Sequence, residues 1–536
     1  MSTADPCDVV VVGSGPSGAV VASGLVNAGI SVTVLEQGDW VPADAFDGAR
    51  RQWELTQLRK WHPNPNVRGR ADDYPIDTDQ ADVNPLMFAG VGGAALIYGA
   101  HWMRFMPSDF RVRTLHGVAD DWPFDYDELA PFYAYVDEAM GVSGQDGNTA
   151  YPDGAPCPLP ALPMGKVGRK AAEGMNKLGW HWWPGSNAIP SRAWRNLQPC
   201  VLRGTCGTGC SDGAKATPDR THWPDAINAG ARLITGARVS EVTTDAHGRA
   251  SGVIWIDRAG KRHQQKADIV VLCANGVGTP RILMMSNDRH GIANSSGLVG
   301  RRLMMHPFAA VMGTFDEDLE SWVGPAGQIL TSMQFYETDA SRGFVRGAKW
   351  NCMPAGGPQS FRAGYGDGPL TDAWGENLHA RVRRKFGRSF EWGIVGEDLP
   401  DAQNRITLSE TLRDTSGLPC PKIEYTVSDN TRNMLDFHIA RAIEAMEAAG
   451  AIETSTTRLI RDCGWHLLGT AVMGADPEKS VVDQYGQSHD VPNLYVMDGS
   501  VFPTSSGMNP TATIAAVAAR NVLSLIENRR EAVVAA

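Results

Sequence analysis

No run of about 20 apolar residues occurs anywhere in this chain, so the sequence offers no membrane-spanning helix. Basic runs are equally absent and the net charge is −11, which argues against nucleic acid or anionic lipid as a partner. Nine cysteines stand scattered and odd in number. They make no disulfide framework, and reduced thiols of a cytoplasmic protein are the simplest reading. Strand-like residues arrive by Val9, which leaves no room ahead of them for an export signal. Internal repeats and low-complexity segments are missing too. What remains is a chain of 536 residues, long enough for at least two domains with large cores.

The most informative stretch comes first. Val9 to Val12 form a β-branched run suited to a buried parallel strand, and Gly13-Ser14-Gly15-Pro16-Ser17-Gly18 follows directly. Gly13 permits a tight turn, Gly15 lets phosphates approach, and Gly18 allows close packing of helix on strand. The next segment is apolar at helical spacing and closes at Gly29, so its N-terminus faces a pyrophosphate. A second strand over 32–35 ends in Glu36, placed about 20 residues after the glycines, where an acid meets a ribose hydroxyl. Its charge repels a 2′-phosphate, which disfavours NADP and leaves FAD or NAD. Further on, Gly90-Val91-Gly92-Gly93 makes another glycine turn. A strand over 269–272 runs into Ala274, and a helix is predicted to begin near Thr279-Pro280, again a ligand-facing strand end. Residues 307–460 read as a more β-rich unit with one clear helix over 433–449. The last segment returns to strand over 494–497 and an Ala-rich helix over 513–526.

Far downstream stand His466-Leu467-Leu468-Gly469-Thr470, Asp498-Gly499-Ser500 and Ser506-Gly507-Met508-Asn509-Pro510-Thr511. Between the N-terminal glycine turns and these segments lie Gly300-Arg301-Arg302-Leu303-Met304-Met305-His306-Pro307 and Asn404-Arg405-Ile406-Thr407-Leu408. In that order, over nearly the whole length, these segments resemble the glucose–methanol–choline (GMC) oxidoreductases, FAD-dependent alcohol and sugar oxidases and dehydrogenases. Within that family the chain is most similar to bacterial pyranose oxidases, glycoside 3-oxidases or 3-dehydrogenases, and glucose dehydrogenase subunits. The resemblance implies an α/β, Rossmann-like FAD-binding domain interleaved with a β-rich, mixed-sheet substrate-binding domain. Residues 1–40, 85–110, 191–306 and 461–536 would build the first; 41–84, 111–190 and 307–460 would build the second and its lid segments.

By the same resemblance, FAD is held by Gly13, Gly15, Gly18, Glu36, Gly92, Gly93, Val239, Ala274, Asp498, Gly499, Pro510 and Thr511. Non-covalent binding is expected. The histidine that could carry a covalent link, His101, does not match the attachment spacing from Gly93, where Ile97 falls instead. His306 reads as structural. His466 and Asn509 take the places of the family's catalytic pair. An alcohol loses its hydroxyl proton as hydride leaves its carbon, and a neutral imidazole is the natural acceptor near neutral pH. Asn509 donates to the same oxygen without competing for the proton. The implied reaction converts a secondary hydroxyl of a sugar or glycoside, C3 favoured over C2, to a keto-sugar. Electrons then pass to oxygen or to a quinone-like or protein acceptor.

One motif points elsewhere. Cys200, Cys206 and Cys210 share their spacing with the loop that holds a three-iron cluster in sugar dehydrogenase subunits, which work with a small subunit and a cytochrome. Here Ser211 and Asp212 follow where proline is usual, so the cluster is the alternative and not the favoured reading. A further alternative, a flavin-binding electron-transfer module without catalysis, is opposed by the intact His466 and Asn509. Among sixteen tryptophans, the group Trp180-His181-Trp182-Trp183 suits core packing better than stacking on a sugar. The Gly- and Pro-rich segment from Gly356 to Gly375 is a candidate substrate lid.

Overall fold

The protein is described here from a computed structural model covering residues 2–535 except 4, 58, 153, 326 and 362–374. Most of the expected lid segment therefore lies outside the described residues.

Valine-rich strands form the centre of the first unit. Cys7–Val12 pairs in parallel with Val32–Leu35 on one side and with the C-terminal half of Arg262–Leu272 on the other. Arg232–Ile234 extends one edge, and Leu494–Val496, far away in sequence, pairs with Arg262–Leu272 at the opposite side. The N-terminal half of Arg262–Leu272 continues into an antiparallel extension with Ala250–Ile256 and Arg238–Thr244. Val9 to Val12 are buried on both faces, as expected of a parallel strand covered by helices. Helices Pro16–Asn27 and Thr511–Ala535 pack on each other over this sheet, and the second is apolar through Ala515 to Ala519.

The second unit is built on a six-stranded sheet ordered Glu453–Thr457, Phe308–Thr314, Ser389–Gly396, Ala348–Pro354, Leu330–Ser332, Trp183–Pro184. Every pairing in it is antiparallel, so the mixed pairing expected from the sequence is confined to the small sheet of Asp77–Ala81, Pro419–Tyr425 and Arg405–Arg413. Helices Asp429–Ala448 and Gly165–Leu178 cover one face, around a core that includes Trp350, Trp392 and Phe390.

Packing adds two local findings. The helix Tyr126–Met140, within the 111–190 stretch that the resemblance assigned to the substrate-binding domain, lies against Thr511–Ala535 and shares the core of the parallel sheet. Tyr133 Oη is 2.7 Å from Thr513 Oγ1 across that contact. The helix expected near Thr279 instead spans Asn275–Met285, with Pro280 inside it. Proline supplies no N–H, so the carbonyl of Gly276 loses its helical donor. Thr470 replaces it, its Oγ1 donating to Gly276 O at 2.8 Å. This bond ties the segment after His466 to the helix that follows the central strand. A Thr470→Val substitution is expected to cost about 1–3 kcal/mol, the penalty of a buried carbonyl left unpaired, measured by denaturant unfolding.

Candidate active site

The glycine turn after Cys7–Val12 is dictated by contact. Gly13 has φ +102°, and a Cβ there would meet Cys273 O at 2.4 Å. A Cβ on Gly18 would sit 2.0 Å from Gly13 O, so the helix approaches its own strand only with glycine at that position. Gly93 lies against Gly15, with its Cβ position 2.9 Å from Gly15 Cα, so the two glycine turns touch. Helix Pro16–Asn27 begins with no side-chain cap and no acid in its first turn. Its first N–H groups and positive end are thus left for an anion. Gly13, Gly15, Glu36, Gly93, Val239 and Ala274 line one cleft at this strand edge.

Glu36 is buried there, and burial raises its carboxyl above the usual range. Its Oε2 accepts from Ser14 N at 3.1 Å and Ser14 Oγ at 2.7 Å, while Oε1 accepts from Gly38 N at 2.9 Å. The carboxylate thus braces the turn and keeps acceptor capacity for a ribose hydroxyl. Gly92 shapes the second turn with φ +108° but does not line the cleft. Asp498 and Gly499 also lie behind the walls. Asp498 accepts from Asn275 N at 2.9 Å, Thr279 Oγ1 at 2.6 Å and the Ser500 amide, and Gly499 packs on Leu467 and Leu468. Their work is to hold the strand end and the helix Asn275–Met285.

A second cavity of about 360 Å³ adjoins the first through Ala94. His466, Asn509, Pro510 and Thr511 line it, together with His101, Phe308, Asn351, Met353 and Leu467. Two buried atoms in its wall have no partner among the described residues, His101 Nδ1 and Asn351 Oδ1. An elongated trough with a bare helix N-terminus at one end and orphaned polar atoms at the other fits a bound dinucleotide with substrate beside it. The residues present therefore fit FAD.

The polar groups around His466 form a chain whose direction is set at its ends. His306 Nε2 lies 3.1 Å from Ser505 O and 2.5 Å from Ser506 O, and carbonyls only accept, so Nε2 carries the proton. Neutral His306 then accepts at Nδ1, which is 2.6 Å from His466 Nδ1. His466 consequently carries its proton on Nδ1 and leaves Nε2 unprotonated, an acceptor. Asn509 Nδ2 faces that nitrogen at 3.3 Å. Burial, His306, Lys349 and His101 hold His466 well below the ordinary histidine range, and burial pushes His306 down to about 4. His306 is therefore no bystander: it selects the tautomer of the candidate base. The sequence reading of His306 as structural missed this, and Pro307 beside it precedes the strand Phe308–Thr314 next to the site.

Ser506 to Asn509 is pinned from behind by buried charge. Asp109 accepts from Ser506 Oγ at 2.8 Å, from Tyr336 Oη at 2.9 Å and from Met106 N at 2.7 Å, and is paired with Arg346. Arg346 also donates to Glu397 at 2.9 Å, and Tyr336 Oη accepts from Gly507 N at 2.9 Å. Ser506 has φ +60°, a conformation that a serine holds only under such constraint. None of this network was visible in the sequence.

The tryptophan group falls away from the cavity, whereas the cysteine loop borders it through Gly207. Trp180 packs against Phe335 and Trp350, and Trp183 borders a different cleft with Tyr151 and Asp137. Cys200, Cys206 and Cys210 lie near enough to affect one another, and burial with these neighbours pushes Cys200 up to about 12. Among the described residues no group of three His, Cys, Asp or Glu side chains is arranged to hold a metal ion.

Comparison with known proteins agrees with this architecture. Two family models described as GMC oxidoreductase match residues 160–308 and 400–518, and one described as pyridine nucleotide-disulphide oxidoreductase matches 8–63. The chain is 41% identical over 531 residues to the 2-methyl-1,2-propanediol dehydrogenase of Mycolicibacterium austroafricanum, covering 97% of this chain and 95% of that one. It is 29% identical to the fructose dehydrogenase large subunit of Gluconobacter japonicus, covering 98% of each. Among solved structures, pyridoxine 4-oxidase from Mesorbium loti superposes with a TM-score of 0.65 at 17% identity, covering 97% of this chain and 99% of that one.

Asp109→Ala is expected to destabilise the fold by about 3 kcal/mol, because it leaves Arg346 short of a buried partner. Asp109→Asn, which keeps most hydrogen bonds, should lose less. Denaturant midpoints of the two variants against the parent check the order.

Proposed function

The chain belongs to the GMC oxidoreductase family, and on that premise we propose that it oxidises a hydroxyl group of a small polyol to the carbonyl. The observation that carries this reading is the His466–Asn509 pair, an unprotonated Nε2 and an amide Nδ2 that lie 3.3 Å apart in the cavity wall, where one incoming hydroxyl can meet both. FAD, when bound, supplies the acceptor for the hydride that leaves the alcohol carbon. His466 Nε2 takes the hydroxyl proton, and Asn509 Nδ2 donates to the oxygen and holds its position as negative charge grows there. The helix Pro16–Asn27 and the Gly13 to Gly15 turn would hold the pyrophosphate, with Glu36 at the adenosine ribose.

Polyols are favoured by the cavity and by the relatives. Phe308, Met353 and Leu467 offer an apolar wall, while His101 Nδ1 and Asn351 Oδ1 are spare polar atoms suited to a second hydroxyl. The named substrates of two relatives, a vicinal diol and fructose, share adjacent oxygenated carbons. A sugar or glycoside oxidised at C3 or C2 and a compact diol are the two substrate classes to test. Oxygen, a quinone and a protein are the candidate acceptors for the electrons.

The decisive experiment mixes FAD-loaded protein anaerobically with a panel of sugars, glycosides and 2-methyl-1,2-propanediol and follows bleaching of the flavin. His466→Ala is expected to slow bleaching by about 10³-fold and Asn509→Ala by about 10²-fold. Bleaching at full rate in His466→Ala would falsify the reading.

The pH dependence follows from the depressed His466 pKa. Neutral imidazole is the competent form and exists above the folded pKa, which lies well below 6.5. The bleaching rate should therefore stay flat from neutral to mildly alkaline pH and fall only in acid. Stability has the same sign, because the unfolded histidine protonates near its ordinary value while the buried one does not. The contribution is complete above that value and is lost as pH drops below it.

A further inference from the structure

We propose that Lys349 is the positioning residue of this site: its Nζ donates to Asn509 Oδ1 and thereby turns Asn509 Nδ2 toward His466 and the substrate oxygen. The proposal rests on the reading of His466 and Asn509 as the catalytic pair.

An asparagine side chain is nearly symmetric in shape, and its two ends have opposite chemistry. Rotated by half a turn, Asn509 would present its carbonyl to His466 Nε2 and to an incoming hydroxyl. Two lone pairs would then face each other, and the amide would compete with the histidine for the proton. Something has to forbid that orientation, and Lys349 is placed to do so. Its Nζ contacts Asn509 Oδ1, and it lies 3.3 Å from Gln328 Oε1. Gln328 is fixed in turn, because its Nε2 donates to Ser186 O at 2.7 Å. A carbonyl at that end and the carbonyls of Ser505 and Ser506 at the other only accept. Between these ends every donor has one consistent direction: Gln328 to Ser186, Lys349 to Gln328 and Asn509, Asn509 to His466, His466 to His306, His306 to the loop.

The lysine's surroundings make a plain packing role costly. Lys349 is 0% exposed, its bonds among the described residues go to the two amide oxygens and not to a carboxylate, and burial holds it well below the ordinary lysine range. A core avoids an amine so placed unless its N–H groups are used, and here both acceptors can only accept. Strand alternation explains how it reaches the site. In Ala348–Pro354, Trp350 and Cys352 point into the core under the helices, whereas Asn351 and Met353 line the cavity. Lys349 shares their parity.

A double-mutant cycle on the FAD-loaded protein tests the proposal, with bleaching rate at saturating substrate and half-saturating concentration read separately. Lys349→Met is expected to slow bleaching about 30-fold while shifting half-saturation less than about threefold, because the lost function concerns the reacting oxygen and not binding. Introduced into Asn509→Ala, it should add less than about a twofold loss, since no amide remains to be oriented. Lys349→Gln can still donate to Oδ1 and is expected to recover most of the rate. Thermal midpoints and the bound-flavin spectrum confirm folding, and Lys349→Ala replaces the methionine variant in the cycle if that variant loses FAD. An unchanged rate in Lys349→Met, equal losses in both backgrounds, or a Lys349→Gln as slow as Lys349→Met overturns the proposal. Those results leave the catalytic pair standing if His466→Ala remains inactive. Full bleaching in His466→Ala removes the pair and this inference with it.

Discussion

Three parallel strands that end at one level are the constraint on which the site depends. Val12, Leu272 and Val496 share a register although hundreds of residues separate them in sequence. The chain leaves that edge at Gly13, Cys273 and Met497, so the glycine turn, the helix Asn275–Met285 and the loop toward Asn509 all start side by side. The register is pinned at the strand ends, where Cys273 N donates to Val12 O at 2.8 Å, Met497 N to Leu272 O at 2.9 Å and Gly13 N to Leu35 O at 2.9 Å, and where Gly13 meets the Cys273 carbonyl with no room for a Cβ. Asp498 and Thr470 then lock neighbouring segments to the helix, through Asn275, Thr279 and Gly276. Precision at His466 begins with apolar strands that never touch a substrate.

Legibility in the sequence divides along the range of the interaction. Gly13 and Gly18 were readable because the constraint on them is local: a turn and a helix packing on its own strand. His466 and Asn509 were readable because their neighbours form a recognisable pattern. Asp498 was visible too, yet its assignment to the cofactor depended on which side of a strand end it faces, and its oxygens turn inward. The Asp109–Arg346 pair, His306 beside His466 and Lys349 beside Asn509 join positions more than a hundred residues apart. No spacing rule reaches that far. The alternation of Lys349, Asn351 and Met353 along one strand gains meaning only once the structure places Asn351 and Met353 at the cavity. Pro280 misled the helix start for the opposite reason, since Thr470 supplies from afar the bond that a local rule says is missing.

The electrostatics of the site oppose each other by design of position. Burial, His306, Lys349 and His101 keep His466 neutral, which makes it a weak base. On the proposed reading, the hydrogen bond to His306 offsets part of that once a proton arrives. His306 accepts the Nδ1–H of His466, and that bond strengthens as the ring of His466 gains positive charge. His306 cannot pass its own Nε2 proton onward, because that proton is held by Ser505 and Ser506 carbonyls. The bond from His466 thus ends, through a neutral His306, on carbonyl dipoles of the loop that carries Asn509. On the proposed reading, any shift of that loop would weaken the base and misplace the amide together, and Asp109 with Arg346 holds the one short segment on which both would rest.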